Sequence, residues 1–234
     1  MKKLIFFRLA PALLISSAAA HSADPALQTV FARLDQTAAT FKSFSANVQR
    51  LTHTDVINSD DIDRGTIKLK RTNSKSDLKM LIEITEPDPK AVAVQGKKGE
   101  LYYPKQRTVQ EYDLGKYRDL LDQFYLMGFG TTSKEIQAEY NVRLLGSDTK
   151  DGQKVTGLEL IPKSKDIAKN IRKFELWLSD KTGLPVEQKI FPAGQYVVIT
   201  YTNAKANPDL PDSALKLQLP KGTTREFPQK AGFK

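Results

Sequence analysis

Apolar residues recur every three or four positions between Pro25 and Phe41, as they do along one face of an α-helix. Asp24 is of a type preferred at a helix N-cap, and Pro25 suits the first helical position. The pattern predicts an amphipathic helix over residues 25–41 that packs one face on the rest of the protein. That face is formed by Leu27, Val30, Phe31, Leu34, Ala38 and Phe41.

From Phe44 onward the apolar spacing is mostly two, which is typical of strands with one buried face. The connections are short and rich in turn-forming residues, so we expect an antiparallel meander of about eleven strands rather than alternating β-α units. The predicted strand segments are 44–54, 65–71, 77–85, 91–95, 100–103, 108–112, 140–147, 155–161, 171–179, 184–191, 196–204 and 215–219.

One stretch, residues 116–130, interrupts the alternation with large apolar side chains at nearly helical spacing, and a second short helix is predicted over 133–139. Such a run has to bury its side chains. It either crosses the core as an ordinary helix or forms a lid over a sheet face, where Met and Phe side chains suit an irregular apolar ligand. The residues concerned are Tyr117, Leu120, Leu121, Phe124, Tyr125, Leu126, Met127 and Phe129.

The N-terminus combines the cations Lys2, Lys3 and Arg8 with an apolar run over 9–15 and three alanines at 18–20. This pattern predicts a cleaved secretory signal peptide over residues 1–23 and an exported single domain over residues 24–234. A buried N-terminal helix is the alternative. The apolar run is shorter than the ~20 residues of a membrane-spanning helix, and no cysteine near the cleavage site offers a lipid anchor.

Composition excludes several kinds of catalytic site. The chain has no cysteine and two histidines. We expect His21 to leave with the signal peptide or to stay in a frayed terminus, and His53 stands alone at a predicted strand end. Without cysteine and with one usable histidine, we expect no Cys-His dyad, Ser-His-Asp triad or histidine-based zinc site of conventional form. No nucleophile elbow or phosphate-binding loop occurs. A pair of carboxylates for glycoside hydrolysis has no sequence signature, and we see no sign of one. We predict no enzymatic activity, cofactor or metal.

Charge adds little to this picture. The acidic run 58–63 lacks the spacing of an EF-hand calcium loop, and a solvated hairpin connection is the favoured interpretation. Loss of the three N-terminal cations would lower the net charge from +9 to +6. Such a surplus suits an anionic membrane surface or an acidic partner, or is simply a solvated surface. The basic residues are scattered, so we expect no nucleic-acid binding.

Four segments in order, FKSFSANVQ (41–49), RGTIKLKR (64–71), QGKKGELYY (95–103) and SDKTGLPVEQ (179–188), resemble motifs of the outer-membrane lipoprotein carrier family, LolA and its relatives. The resemblance runs over nearly all of the chain after the signal segment. It implies an unclosed antiparallel β half-barrel, mainly β in an α+β fold, whose apolar concave face is capped by helices and holds acyl chains. In two places the chain departs from the family pattern: Thr72 stands where the family usually has proline, and the run 116–130 differs.

The match places the family's lid-contacting arginine on Arg71. Strand parity agrees, because Ile67, Leu69 and Arg71 fall on one face of a strand. A guanidinium beside apolar walls needs a partner, so we expect Arg71 to donate hydrogen bonds to lid carbonyls or to a polar group of the ligand. The alternative is an arginine at the sheet edge that reaches water.

Parity and the lid run together predict a lipid-binding set. Its members are Phe44, Ile67, Leu69, Arg71, Met80, Ile82, Phe124, Met127, Phe129, Leu176 and Leu178.

The resemblance implies a monomeric periplasmic carrier that takes a lipid or lipidated protein from a releasing transporter in the inner membrane to an acceptor in the outer membrane. The alternative is a periplasmic regulatory module that senses lipid or lipoprotein without transport. We expect the carrier, because a sensor of this kind carries a second domain that about 210 residues hardly accommodate.

Overall fold

The computed structural model of the protein describes residues 24–72, 78–115 and 127–229. The predicted signal peptide and most of the run 116–130, including Phe124, lie outside these residues.

The described strands form one twelve-stranded sheet in the order β12-β6-β5-β4-β3-β2-β1-β11-β10-β9-β8-β7. Neighbouring strands among β1 to β11 pair antiparallel. The sheet is unclosed, because its two end strands, β12 and β7, do not pair with each other. The predicted open antiparallel half-barrel is confirmed. The strands are β1 Ser43–Thr54, β2 Ser59–Arg71, β3 Leu78–Glu86, β4 Lys90–Gln95, β5 Lys98–Tyr103, β6 Thr108–Asp113, β7 Tyr140–Lys150, β8 Gln153–Pro162, β9 Ile171–Ser179, β10 Pro185–Pro192, β11 Gln195–Ala206 and β12 Thr224–Glu226.

Three α-helices accompany the sheet in the described part of the chain: α1 Pro25–Thr40, α2 Ser133–Glu139 and the single turn α3 Lys165–Ala168. Helix α1 begins as predicted, since the Asp24 carboxylate accepts a hydrogen bond from the backbone N–H of Ala26 at 2.9 Å. The Asp35 carboxylate of α1 accepts two hydrogen bonds of 2.7 Å from Ser133 at the start of α2. None of these described helices combines the length and apolar character that a membrane span requires.

The main core lies between α1 and one face of the sheet, which we call the inner face. The buried side chains of α1 share one apolar cluster with alternate residues of most strands, such as Phe44, Leu69 and Leu176. Period-two alternation produces this arrangement, because side chains at i and i+2 point to the same side of a strand.

The structure corrects the strand prediction at two places. Strand β2 begins at Ser59, so most of the acidic run 58–63 lies in a strand rather than in a hairpin connection; the turn is at 55–58. Residues 215–219 do not form a strand. Leu215 instead ends a 3₁₀ helix, Asp212–Leu215, and packs against Leu81 and Ala93 in a small second core. The last strand is β12, which pairs parallel to β6.

Candidate functional site

A cavity of about 270 Å³ opens on the inner face, over the part of the sheet formed by β1 to β6 and β11. Strand register explains its lining: Ile67 pairs with Ile82, which pairs with Val92, and Met80 pairs with Val94. Side chains of neighbouring strands thus form rows across the sheet. The lining is largely aliphatic and comprises Val48, Arg50, Ile67, Met80, Ile82, Ile84, Lys90, Val92, Val94, Gly99, Glu100, Leu101, Tyr112, Leu114, Ile199 and Tyr201.

The predicted lipid-binding residues divide into two groups. Ile67, Met80 and Ile82 line the cavity. The second group lies in the adjoining core, in one buried cluster with residues of α1 and with Ile136; it consists of Phe44, Leu69, Met127, Phe129, Leu176 and Leu178. Phe124 lies outside the described residues. The part that each residue plays in binding lipid stays a prediction.

Phe129 joins the segment 127–130 to the core beside the cavity. Its ring centroid lies 4.6 Å from that of Phe44 and 5.3 Å from that of Tyr201, in tilted and edge-to-face arrangements that are favourable for aromatic pairs. The hydroxyl of Tyr201, which also lines the cavity, donates a 2.8 Å hydrogen bond to Gln188. The Gln188 amide in turn donates to the carbonyl of Met127 at 2.7 Å.

Arg71 ties the same segment to α1. Its Nη2 donates to the carbonyl of Gly130 at 2.6 Å, and its Nη1 donates to the carbonyl of Ala38, near the C-terminus of α1, at 3.2 Å. The guanidinium carbon also lies 5.4 Å from the ring centroid of Phe41. We call Arg71 with these three partners the arginine clamp. Its side chain is on the inner face, as parity predicts, and it bonds to a carbonyl of the run 116–130.

The arginine clamp explains why residue 130 is glycine. Gly130 has a φ of +73°, which favours glycine, and a Cβ built there would lie 2.0 Å from Nη2 of Arg71. A side chain at this position would therefore displace the guanidinium from both carbonyls.

The cavity has one charged end, which the sequence analysis did not identify. Arg50 pairs with Asp63 across β1 and β2, and Nζ of Lys90 on β4 lies 3.4 Å from the same carboxylate. Arg50 and Lys90 both line the cavity. The sequence could have predicted this, because alternate residues of a strand point to the same face. Lys90 alternates with Val92 and Val94, and Arg50 alternates with Val48.

Three further observations concern ionisable groups within residues 24–72, 78–115 and 127–229. Nδ1 of His53 lies 2.7 Å from an Asp60 oxygen, and its ring stacks on Tyr196, but it is not among the cavity residues. Burial raises the pKa of Tyr112, whose hydroxyl donates to Gln110 at 2.8 Å. Among the residues that the structure describes, no group of three or more His, Cys, Asp or Glu side chains is placed to hold a metal ion.

Comparison by sequence finds a relative that matches part of the chain. No family model matches the chain. An uncharacterized protein of Methanocaldococcus jannaschii is 30% identical over 124 residues, which are 53% of this chain and 35% of that protein. The chain therefore spans about a third of the length of this curated relative.

Among solved structures, an uncharacterized conserved protein from Thermus thermophilus is 12% identical with a TM-score of 0.54, and the match covers 86% of this chain and 99% of that one. MucB is 16% identical with a TM-score of 0.50, and the match covers 83% of this chain and 63% of MucB. A LolA superfamily protein from Nitrosomonas europaea is 18% identical with a TM-score of 0.38, over 81% and 97% of the two chains. The first two likenesses, with TM-scores of 0.54 and 0.50, show a common fold, and at identities under 25% they show the fold alone.

Proposed function

We propose that the protein is a LolA-like carrier, which binds acyl chains of a lipid or lipidated protein in the apolar cavity and moves them between membranes without chemistry of its own. The observation that carries the proposal is the aliphatic cavity on the inner face of an unclosed sheet. Isolated apolar cavities of this size are uncommon in a core packed to protein density, and they occur where ligands bind.

Binding in such a cavity needs no specific polar contact. Each methylene of an acyl chain that leaves water contributes about 0.8 kcal/mol. Six buried methylenes would therefore contribute roughly 5 kcal/mol before the cost of association is subtracted. Aliphatic walls such as Ile82, Val92 and Leu101 accept any hydrocarbon of suitable width, so the carrier would tolerate several lipids.

The arginine clamp provides a gate for this carrier. It holds α1 and the segment 127–130 together with two hydrogen bonds from one side chain. A gate requires open and closed states that differ by no more than a few kcal/mol, and a pair of charge-assisted hydrogen bonds is of that size. We propose that breaking the clamp admits or releases the lipid.

We propose the periplasm as the site of action, because the sequence of residues 1–23 has the pattern of a cleaved signal peptide. In this proposal the carrier is a monomer. It would receive its lipid or lipoprotein from a releasing transporter of the inner membrane and deliver it to an acceptor at the outer membrane.

A matched pair of substitutions tests the cavity. Leu69 is fully buried in the core, so a carboxylate there would test folding rather than binding. Ile82 lines the cavity, and Ile82→Glu should abolish binding of a fluorescent fatty acid because it sets an unpaired charge against hydrocarbon. Ile161→Glu is the control, since Ile161 is also a strand isoleucine but is 44% exposed and does not line the cavity.

Circular dichroism should show both variants folded. Equal binding by wild type, Ile82→Glu and Ile161→Glu would mean that the probe does not enter the cavity, and the absence of any binding by wild type would overturn the carrier.

A second candidate is a periplasmic regulatory module that binds a partner protein or lipid as a signal. The likeness in fold to MucB favours it, since MucB has been solved in complex with MucA. Lipid transfer discriminates between the two. A carrier moves a labelled lipid from donor to acceptor vesicles at a rate that rises with its concentration, whereas a sensor binds the lipid and leaves the transfer rate unchanged.

A further inference from the structure

The polar end of the cavity consists of two cations that share one carboxylate. Asp63 pairs with Nη2 of Arg50 and, through its other oxygen, with Nζ of Lys90 at 3.4 Å. The Asp63 side chain is only 13% exposed, whereas those of Arg50 and Lys90 are 40% and 30% exposed. The carboxylate is therefore the most buried of the three groups, and both cations line the cavity while part of each side chain reaches solvent.

This group carries an excess of positive charge. One carboxylate neutralises one of the two cations, and the buried Nε of Arg50 has no hydrogen-bond partner among the described residues. The remaining charged residue of the lining, Glu100, offers no second anion, because its carboxylate pairs with Lys98 at 2.9 Å and with Arg225 at 3.2 Å. Asp88 also lies within electrostatic reach of Lys90, but its carboxylate pairs with Lys105. Three cations thus face two carboxylates, and an anion at this end would meet one remaining unit of positive charge.

We propose that Arg50 and Lys90 form a head-group site for an anionic amphiphile, a carboxylate or phosphate monoester joined to an acyl or alkyl chain. The inference rests on the proposed carrier function and specifies its ligand class. A guanidinium binds carboxylate and phosphate oxygens through paired N–H groups, and an ammonium adds a point charge. Both act more strongly beside apolar walls than in open water, because the local dielectric constant is lower.

The head-group site also orients the ligand. Along β4, Lys90 and Val94 are four residues apart, so the cavity extends about 13 Å from the charged end along the strand. A head group at Arg50 and Lys90 places the hydrocarbon over Ile82 and Val92, towards the side of the core where Phe129 and the arginine clamp lie. The polar end of the ligand would then stay near water while its chain is buried.

Three probes with the same twelve-carbon chain separate head group from hydrocarbon: dodecanoate, dodecyl phosphate and dodecanol. The two anions are titrated below their micellar concentrations and dodecanol below its solubility limit. Wild type should bind at least one of the two anions about tenfold to a hundredfold more tightly than dodecanol, the range expected for charge-assisted hydrogen bonds. Preference between dodecanoate and dodecyl phosphate identifies a fatty acid or a lipid with a terminal phosphate as the source of the anion.

Lys90→Gln is the principal variant, because it leaves the Arg50–Asp63 pair in place and should not affect folding. It should weaken binding of the preferred anion about tenfold and leave dodecanol unchanged, while Lys90→Arg should retain the anion preference. Arg50→Gln should act in the same direction. The control is Lys68→Gln. Lys68 follows the cavity residue Ile67 on β2, so its side chain points to the other face of the sheet, and it pairs with Glu83 at 3.2 Å.

Equal affinity of wild type for the anions and dodecanol would overturn the head-group site while leaving the carrier intact. An anion preference that survives both Lys90→Gln and Arg50→Gln would overturn the assignment to these residues. Failure of all three probes to bind wild type would instead refute the proposed function itself.

Discussion

Replacing Arg71 with leucine removes the arginine clamp and keeps an apolar side chain on the inner face. Two hydrogen bonds disappear, the 2.6 Å bond to Gly130 and the 3.2 Å bond to Ala38, together with the contact to the Phe41 ring. Helix α1 and the segment 127–130 would then be joined by packing alone at this point. We expect a folded but less stable protein whose segment 127–130 opens more often.

The size of the effect follows from the contacts. A hydrogen bond from a charged donor contributes about 1.5–3 kcal/mol, and the bond to Ala38 is at the long end of the usual range. A partly exposed cation–π contact adds about 0.5–1 kcal/mol. The leucine side chain offsets part of the lost stabilisation through apolar burial. Arg71→Leu should therefore lower the free energy of unfolding by roughly 2–4 kcal/mol.

Urea unfolding and hydrogen exchange measure the two consequences. Backbone amides of residues 127–132 should exchange faster in Arg71→Leu than in wild type, and a labelled fatty acid should enter and leave faster. Arg64→Leu is the matched control, because Arg64 lies on the same strand but is exposed and lies 3.8 Å from Glu86. Exposed pairs of this kind contribute about 0–1 kcal/mol. If Arg71→Leu unfolded at the same urea concentration as Arg64→Leu and exchanged like wild type, the clamp would have no energetic role.

Two further predictions concern stability away from the cavity. Burial raises the pKa of Tyr140 to about 12, and its buried hydroxyl has no hydrogen-bond partner among the described residues. Tyr140→Phe should therefore leave the urea midpoint unchanged or raise the free energy of unfolding by about 1 kcal/mol. A clear loss of stability would contradict this and would show that the hydroxyl has a partner. Hydrogen bonds from Lys173 and Arg143 lower the pKa of Glu159. The contribution of ionised Glu159 to folding stability is therefore present above the unfolded-state pKa of about 4.3, and it is lost as pH falls through the lower folded-state pKa. Glu159→Gln should flatten the acid side of the stability profile, and an unchanged acid slope would contradict this.

Much of the fold could be predicted because its signals are local. Residues 25–40 repeat with a helical period and carry their own N-cap, and the strands alternate with period two, so both patterns predict an element without knowledge of its partners. The prediction for the acidic run 58–63 is wrong because it relied on the same local signals. An exposed hairpin allows polar side chains on both strands, so strand pairing there depends on the neighbouring strand β1 rather than on alternation.

Residues 215–219 show where a local pattern predicts an element that does not form. Residues 215–219 alternate like a strand, but their first residue, Leu215, is buried against Leu81 and Ala93 on the outer face of β3 and β4. The 3₁₀ helix that ends there is held by Lys70 and Lys79, whose ammonium groups lie 3.0 Å and 2.6 Å from the Asp212 carboxylate. Contacts between residues far apart in sequence outweighed the local pattern.

By itself, the sequence determined the faces of the sheet: side-chain parity places Leu69, Arg71 and Ile82 on the inner side, because adjacent residues of a strand point in opposite directions. Only the tertiary structure decided that Leu69 is core and Ile82 lines a cavity, since this depends on which inner-face positions α1 and the segment 127–139 cover. It likewise brought Arg50 and Lys90, which lie on different strands, to one carboxylate. Parity is a property of the backbone of one strand, whereas burial and charge pairing arise from elements that meet only when the chain has folded.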